Sequence, residues 1–181
     1  MRSATVKLAR TAVIAALYAT LTLVLAPISY GALQFRLSEA LTILPLFCPE
    51  AIAGLTIGCF LANIPSGLWD MFLGALATLI AAILTRVSKK WYFGVIPPVV
   101  VNAFAVPLII LLASGGLETT YFMTVLSVGL GQLVSVCALG IPLYFGLDKL
   151  NSRYALFGDF KPVAKEPKKR DEATEDEKTE K

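Results

Sequence analysis

Apolar residues run through this chain in long blocks, with polar residues confined to the joints between them. The first block extends from about Lys7 to Ala26, and a turn-like Ile28-Ser29-Tyr30-Gly31 follows it. Two shorter runs come next, Gln34 to Phe47 and Glu50 to Asn63, divided by Pro49. Leu68 to Val87 is again continuous, as is Trp91 to Ala113 despite Pro97, Pro98 and Pro107, and a last block covers Thr120 to Leu147. A helix rises 1.5 Å per residue and the hydrocarbon layer is about 30 Å thick, so about 20 apolar residues make one membrane crossing. The first block is too long for a signal-peptide core, and no small-residue cleavage site follows it.

The basic residues decide how many crossings there are. Arg2, Lys7 and Arg10 precede the first block, Arg86, Lys89 and Lys90 separate the fourth from the fifth, and Lys149 and Arg153 follow the last. Basic loops stay on the cytoplasmic side. If Gln34 to Asn63 is two helices, the chain crosses six times and all three clusters fall inside; if it is one kinked helix, the middle cluster falls outside. Six spans with both termini cytoplasmic is the expectation. Pro49 then stands at the first position of the third helix, where its missing N–H costs nothing. The second and third segments are short and must tilt or lie buried among their neighbours. The outer loops, Pro27–Leu33, Ile64–Gly67 and Ser114–Thr119, leave no room for an extracellular domain. The expected fold is an all-α integral membrane protein, a compact six-helix bundle over residues 1–150.

Composition sharpens this picture. Of 181 residues 56% are hydrophobic and 16% charged, whereas soluble domains carry about 25% charged residues. From Phe160 to the end lie seven basic and seven acidic residues, which leaves nine and six for all that precedes. Residues 151–181 therefore read as a charged cytoplasmic tail unable to bury a core. The chain has no histidine, which excludes Ser-His proteases, His-ligated zinc hydrolases and His-ligated haem. It has no GxxxxGK[ST] loop and cannot hydrolyse ATP through a P-loop by itself. Cys48, Cys59 and Cys137 are scattered through apolar segments and read as buried free thiols. No cofactor and no metal are expected. The net charge of +3 flanks hydrophobic spans and does not signal nucleic acid.

Chemistry then rests on the few polar residues within the spans, each of which is expensive there. Arg36 and Glu39 open the second helix on one face, Asn63 ends the third, and Trp69 and Asp70 open the fourth. In the expected topology these five lie at the extracellular end. Asn102 and Gln132 lie near the middle of the fifth and sixth helices, with Ser135 one turn on from Gln132. Singly they read as an interfacial ion pair, a helix cap, an interface aromatic or interhelical glue. Together they read as a pocket for a polar, planar, hydrogen-bonding solute. In the first helix Ala9, Ala12, Ala15, Ala16 and Ala19 form overlapping AxxxA steps, which suit either packing inside the bundle or docking of a separate membrane partner. Gly54 and Gly58 repeat the spacing and read as internal packing.

The stretch PISYGALQFRLSEALTILPLF, Pro27 to Phe47, behind an alanine-rich first helix, resembles the queuosine-precursor transporter family, QueT. The resemblance covers about Val6 to Leu150, and Gly31 to Leu41 is its most specific part. It implies a substrate-binding S component of an energy-coupling factor (ECF) transporter, taking up a 7-deazaguanine precursor of queuosine. It also implies a partner ECF module of a transmembrane T component and two ATPases, which the small residues Ala12, Ala16 and Ala19 would touch. ATP hydrolysis by that module would re-orient the whole S component to deliver substrate.

The residues agree with such a ligand on their own terms. A guanine-like edge presents two N–H donors beside one carbonyl acceptor. Glu39 or Asp70 suits the donors, Asn102, Gln132 or Arg36 the acceptor, and Trp69 or Tyr30 stacking on the ring. Other readings stay open: an S component for another small solute, or a stand-alone secondary transporter or channel, which the lack of an internal repeat disfavours. A membrane enzyme using Glu39 and Asp70 as a carboxylate pair is the remaining class, with no histidine or metal cluster to support it.

Overall fold

A computed structural model describes residues 4–29, 35–88, 90–114, 118–154 and 157. Tyr30, the Gly31–Gln34 half of the family-like motif and the tail from residue 158 lie outside the described residues.

The described residues form six main helices, two further short turns of helix at Ala26–Ser29 and Ile64–Ser66, and no strand. Helix α1 is Ala4–Val24, 21 residues or about 31 Å, enough to cross the hydrocarbon. Helix α4 is Asp70–Val87 and α5 is Trp91–Ser114. Helix α6 starts as Glu118–Val134, passes through a wide π segment, Ser135–Gly140, and continues as Ile141–Tyr154. These four helices are long and apolar enough to span a membrane. The last runs beyond Leu147, and its polar end, Asp148 to Arg153, emerges past the apolar portion. Phe157 folds back from there, its ring 5.5 Å from that of Phe47 and 5.6 Å from the Arg10 guanidinium.

The two short segments are separate helices, as the charge pattern requires, but of different kinds. Helix α3, Glu50–Ala62, is an ordinary α-helix. Helix α2, Leu37–Leu46, is wound as a 3₁₀ helix with Pro45 inside it. Proline has no N–H to give to an α-helical ladder. The tighter winding rises about 2.0 Å per residue, so ten residues reach about 20 Å instead of 15. Residues three apart are eclipsed in this winding, so Glu39, Thr42 and Pro45 stack along one line, and Arg36 precedes them as the extended N-cap.

Eight of the ten α2 residues are buried, which makes it the central post of the bundle. Leu44 packs with Ile14, Tyr18 and Leu55 of α1 and α3, while Ile43 and Leu46 pack with Val95, Val136 and Tyr144 of α5 and α6. Its C-terminal carbonyls, which a 3₁₀ helix leaves open, accept hydrogen bonds from Arg86: Nη1 lies 3.0 Å from the Pro45 oxygen and 3.3 Å from that of Leu46.

Helices α1 and α3 meet backbone to backbone at two glycines. A Cβ on Gly58 would lie 2.8 Å from both the Ala15 oxygen and the Tyr18 Cβ, and one on Gly54 would lie 2.9 Å from Ile14 and the Thr11 oxygen. The Gly54–Gly58 step is thus internal packing, as its sequence suggests. Helix α3 then turns into α4 within a few residues, using Gly67 at φ 106°, a conformation that favours glycine. The bundle's outer surface is greasy, with Leu8, Val24, Leu68, Val87, Phe122 and Met123 each about 70% exposed. Such a surface is stable against lipid and not against water.

Candidate functional site

The polar residues gather where α1 ends, α2 and α4 begin, and α3 ends. Glu39, 1% exposed, is at the centre. Both of its carboxylate oxygens are taken. The Tyr18 hydroxyl, from α1, donates to Oε1 at 2.6 Å, and the Asn102 amide, from α5, donates to Oε2 at 3.1 Å. Three helices are tied at one carboxylate. Beside it the Thr22 and Ser38 hydroxyls are hydrogen-bonded at 2.7 Å. Arg36, itself buried, acts electrostatically on both Glu39 and Asp70. A buried carboxylate needs this company, because an unpaired charge in an apolar interior costs several kcal/mol.

Arg36, extended at the N-cap of α2, precedes Glu39 in the first turn, and two wide turns lie in other helices of the bundle. One is Asp70–Gly74 at the start of α4, the other Ser135–Gly140 in α6. Such π segments open the helix ladder locally and are frequent at functional sites. Asn63 secures the first: its amide donates to the Asp70 carbonyl at 3.1 Å, and a Cβ on Gly74 would strike that amide at 2.6 Å. Asn63 thereby sets the approach of α4, and Asp70 is left half-buried at the edge of the cluster.

Helix α6 contributes an inward stripe. Gly129 meets Ala103, the neighbour of Asn102, and Gly140 meets the carbonyl of Ala40, the neighbour of Glu39. Gln132 and Ser135 lie between those two contacts, 2% and 0% exposed. Gln132 Oε1 and Ser135 Oγ are buried with no hydrogen-bond partner among the described residues, and so is Ser29 Oγ. Buried polar atoms are nearly always satisfied. Gln132 and Ser135 are two such exceptions, three residues apart on the helix whose Gly140 meets the Ala40 backbone next to Glu39.

The sequence candidates thus separate. Asn102 is hydrogen-bonded to Glu39, with Arg36 close enough to act on it electrostatically; Asn63 and Gln132 are buried, Asp70 is half-buried, and Trp69 stands apart, 53% exposed. Among the small residues of α1, Ala12 and Ala16 face outward whereas Ala19 is turned into the bundle and buried.

A family model described as QueT transporter matches residues 8–149. The chain belongs to the QueT transporter family. It is therefore a multi-pass membrane protein of a transporter family, not an enzyme family. A curated relative, the queuosine precursor transporter QueT of Lactococcus lactis subsp. cremoris (strain MG1363), is 42% identical over 82 residues, 44% of this chain. The match spans about half of that relative's length, 48%. No solved structure matches. Every residue of the polar region, from Tyr18 to Ser135, falls within the QueT match, and the charged tail falls outside it.

Tyr18, Thr22 and Ser38 are the members of the region that hydrophobic blocks do not single out. Tyr18 is an aromatic in an aromatic-tolerant span, and only its fully buried hydroxyl, aimed at a carboxylate, reveals a role. The signal available was spacing: Tyr18 and Thr22 are four apart, hence on one face of α1.

Proposed function

We propose that this chain is the substrate-binding subunit of an ECF-type importer, and that it binds a 7-deazaguanine-type queuosine precursor at Glu39. The observation that carries the reading is the buried carboxylate with one donor on each oxygen. A guanine-like edge makes that same demand, two adjacent N–H donors on one carboxylate, with a carbonyl beside them for an amide such as Asn102 or Gln132 or for Arg36. Family membership and the name of the Lactococcus relative support the ligand class. Both termini face the cytoplasm in this reading, and the polar region opens toward the outside, where the ligand arrives.

The second part of the proposal is a separate ATPase module, reached through α1. The chain lacks a P-loop, so energy from ATP has to come from a partner. The outward face of α1 carries Ala12 and Ala16 with Ala9, and small residues let a second helix approach closely in lipid. That face borders an apolar groove of about 490 Å³ between α1, α2 and α6, lined by Ala9, Val13, Leu17, Leu44, Leu147 and others.

Ala16→Trp tests both parts at once. Purified wild type and variant are titrated with 7-deazaguanine, with 7-deazaadenine as the control whose edge offers a single donor. The expected result is binding of deazaguanine alone by both proteins, with loss of uptake and of co-purification with the T component and ATPases in the variant only. Equal binding of both bases removes the carboxylate reading. Normal uptake by the variant removes the docking face.

A further inference from the structure

Tyr18 and Asn102 look equivalent at Glu39, one donor on each oxygen, 2.6 and 3.1 Å away. We infer that they play opposite parts: Asn102 holds the ligand, whereas Tyr18 is a stand-in for it and must be displaced. The inference rests on the reading of Glu39 as the ligand's anchor.

Satisfaction comes first. Glu39 is 1% exposed and Tyr18 0% exposed, so the carboxylate is shut off from bulk solvent. A buried charge left without donors is costly, so the empty site needs donors of its own. Exchange of one donor for another avoids the stripped carboxylate altogether.

Geometry then separates the two donors. A guanine-like edge has its carbonyl next to the pair of N–H groups. An amide that starts on one carboxylate oxygen is already beside the place where that carbonyl arrives. Asn102 Nδ2 can leave Oε2 and donate to the ligand's carbonyl with a small side-chain rotation. The Tyr18 hydroxyl has no such second use, because its ring is held in the α1–α3 seam, with its Cβ against the Gly58 backbone. It competes with the ligand for Oε1.

Tyr18 also links the site to α1. Its hydroxyl joins α1 to α2 from the inward face, and Ala12 and Ala16 lie on the outward face of the same helix. Release of Tyr18 by the ligand loosens one tie on the helix that carries the exposed small residues.

The experiment is a titration of the purified full-length chain with 7-deazaguanine for wild type, Tyr18→Phe, Asn102→Leu and Glu39→Ala. Tyr18→Phe keeps the ring and deletes only the competing donor. Its expected result is tighter binding, roughly tenfold, together with a lower unfolding temperature for the ligand-free protein. Asn102→Leu is expected to bind roughly tenfold more weakly. Weaker binding by Tyr18→Phe makes Tyr18 a ligand contact and overturns the inference, and unchanged binding does so too. Wild-type affinity in Glu39→Ala overturns instead the anchor on which it rests, whatever Tyr18→Phe does. A second readout needs no deletion: 3-fluorotyrosine placed at position 18 reports through its fluorine resonance. A shift at saturating 7-deazaguanine is expected, and an unmoved resonance overturns the displacement.

Discussion

The α1–α3 seam offers the most quantitative test of how packing sets this site. Substituting Gly58→Ala adds one methyl carbon 2.8 Å from the Ala15 oxygen and the Tyr18 Cβ and 3.2 Å from the Ala15 Cα. All three are backbone or near-backbone atoms of α1, so no side chain can swing aside. To reach ordinary van der Waals contact at 3.4 Å, α1 must recede by about 0.6 Å. Overpacking of this kind typically costs 1–3 kcal/mol. For a chain of this length about 1 kcal/mol moves the unfolding temperature by 2–4 °C, so a fall of roughly 2–12 °C is expected. The same displacement pulls Tyr18 from Glu39 and lengthens their 2.6 Å hydrogen bond beyond 3 Å. Gly146→Ala is the control, since its added methyl meets nothing within 4 Å and its helix gains from the lost glycine. Thermal unfolding of both variants in detergent measures the effect. A Gly58→Ala protein as stable as Gly146→Ala would refute the close seam and, with it, the placement of Tyr18.

Gln132→Met replaces a buried amide, whose oxygen has no partner among the described residues, with an apolar side chain of similar length; the unfolding temperature is expected to hold or rise while affinity for 7-deazaguanine falls roughly tenfold. Unchanged affinity in that titration removes Gln132 from the site. For topology, Ser88→Cys in a background without Cys48, Cys59 and Cys137 is expected to resist an impermeant thiol reagent in intact cells and to react once the membrane is opened; labelling from outside reverses the proposed orientation.

Much of the architecture was legible in the chain because a membrane span is a one-dimensional property. Block length against the hydrocarbon thickness counts helices, and the placement of Arg86, Lys89 and Lys90 divides Gln34–Asn63 into two. The structure keeps that division, with α2 and α3 as distinct helices on either side of Pro49. Polar residues in an apolar run are also visible one by one, since each is costly there. Arg36, Glu39, Asn102 and Gln132 were therefore visible in the sequence as costly groups, and the structure buries all four.

What the tertiary structure alone decided is which of those groups meet, and through what. The 3₁₀ winding of α2 cannot be read from its apolar pattern, yet it extends ten residues across the bundle and lines up Glu39 with Thr42. Arg86 reads as an interface charge, yet it also satisfies the carbonyls at the end of that helix. Tyr18 looks like an ordinary span aromatic until two glycines, 40 residues further along, let α1 close on α3 and carry its hydroxyl to a carboxylate. Hydrophobicity acts residue by residue and is written along the chain. Hydrogen bonds need partners at about 3 Å, and those partners come from helices that only packing brings together.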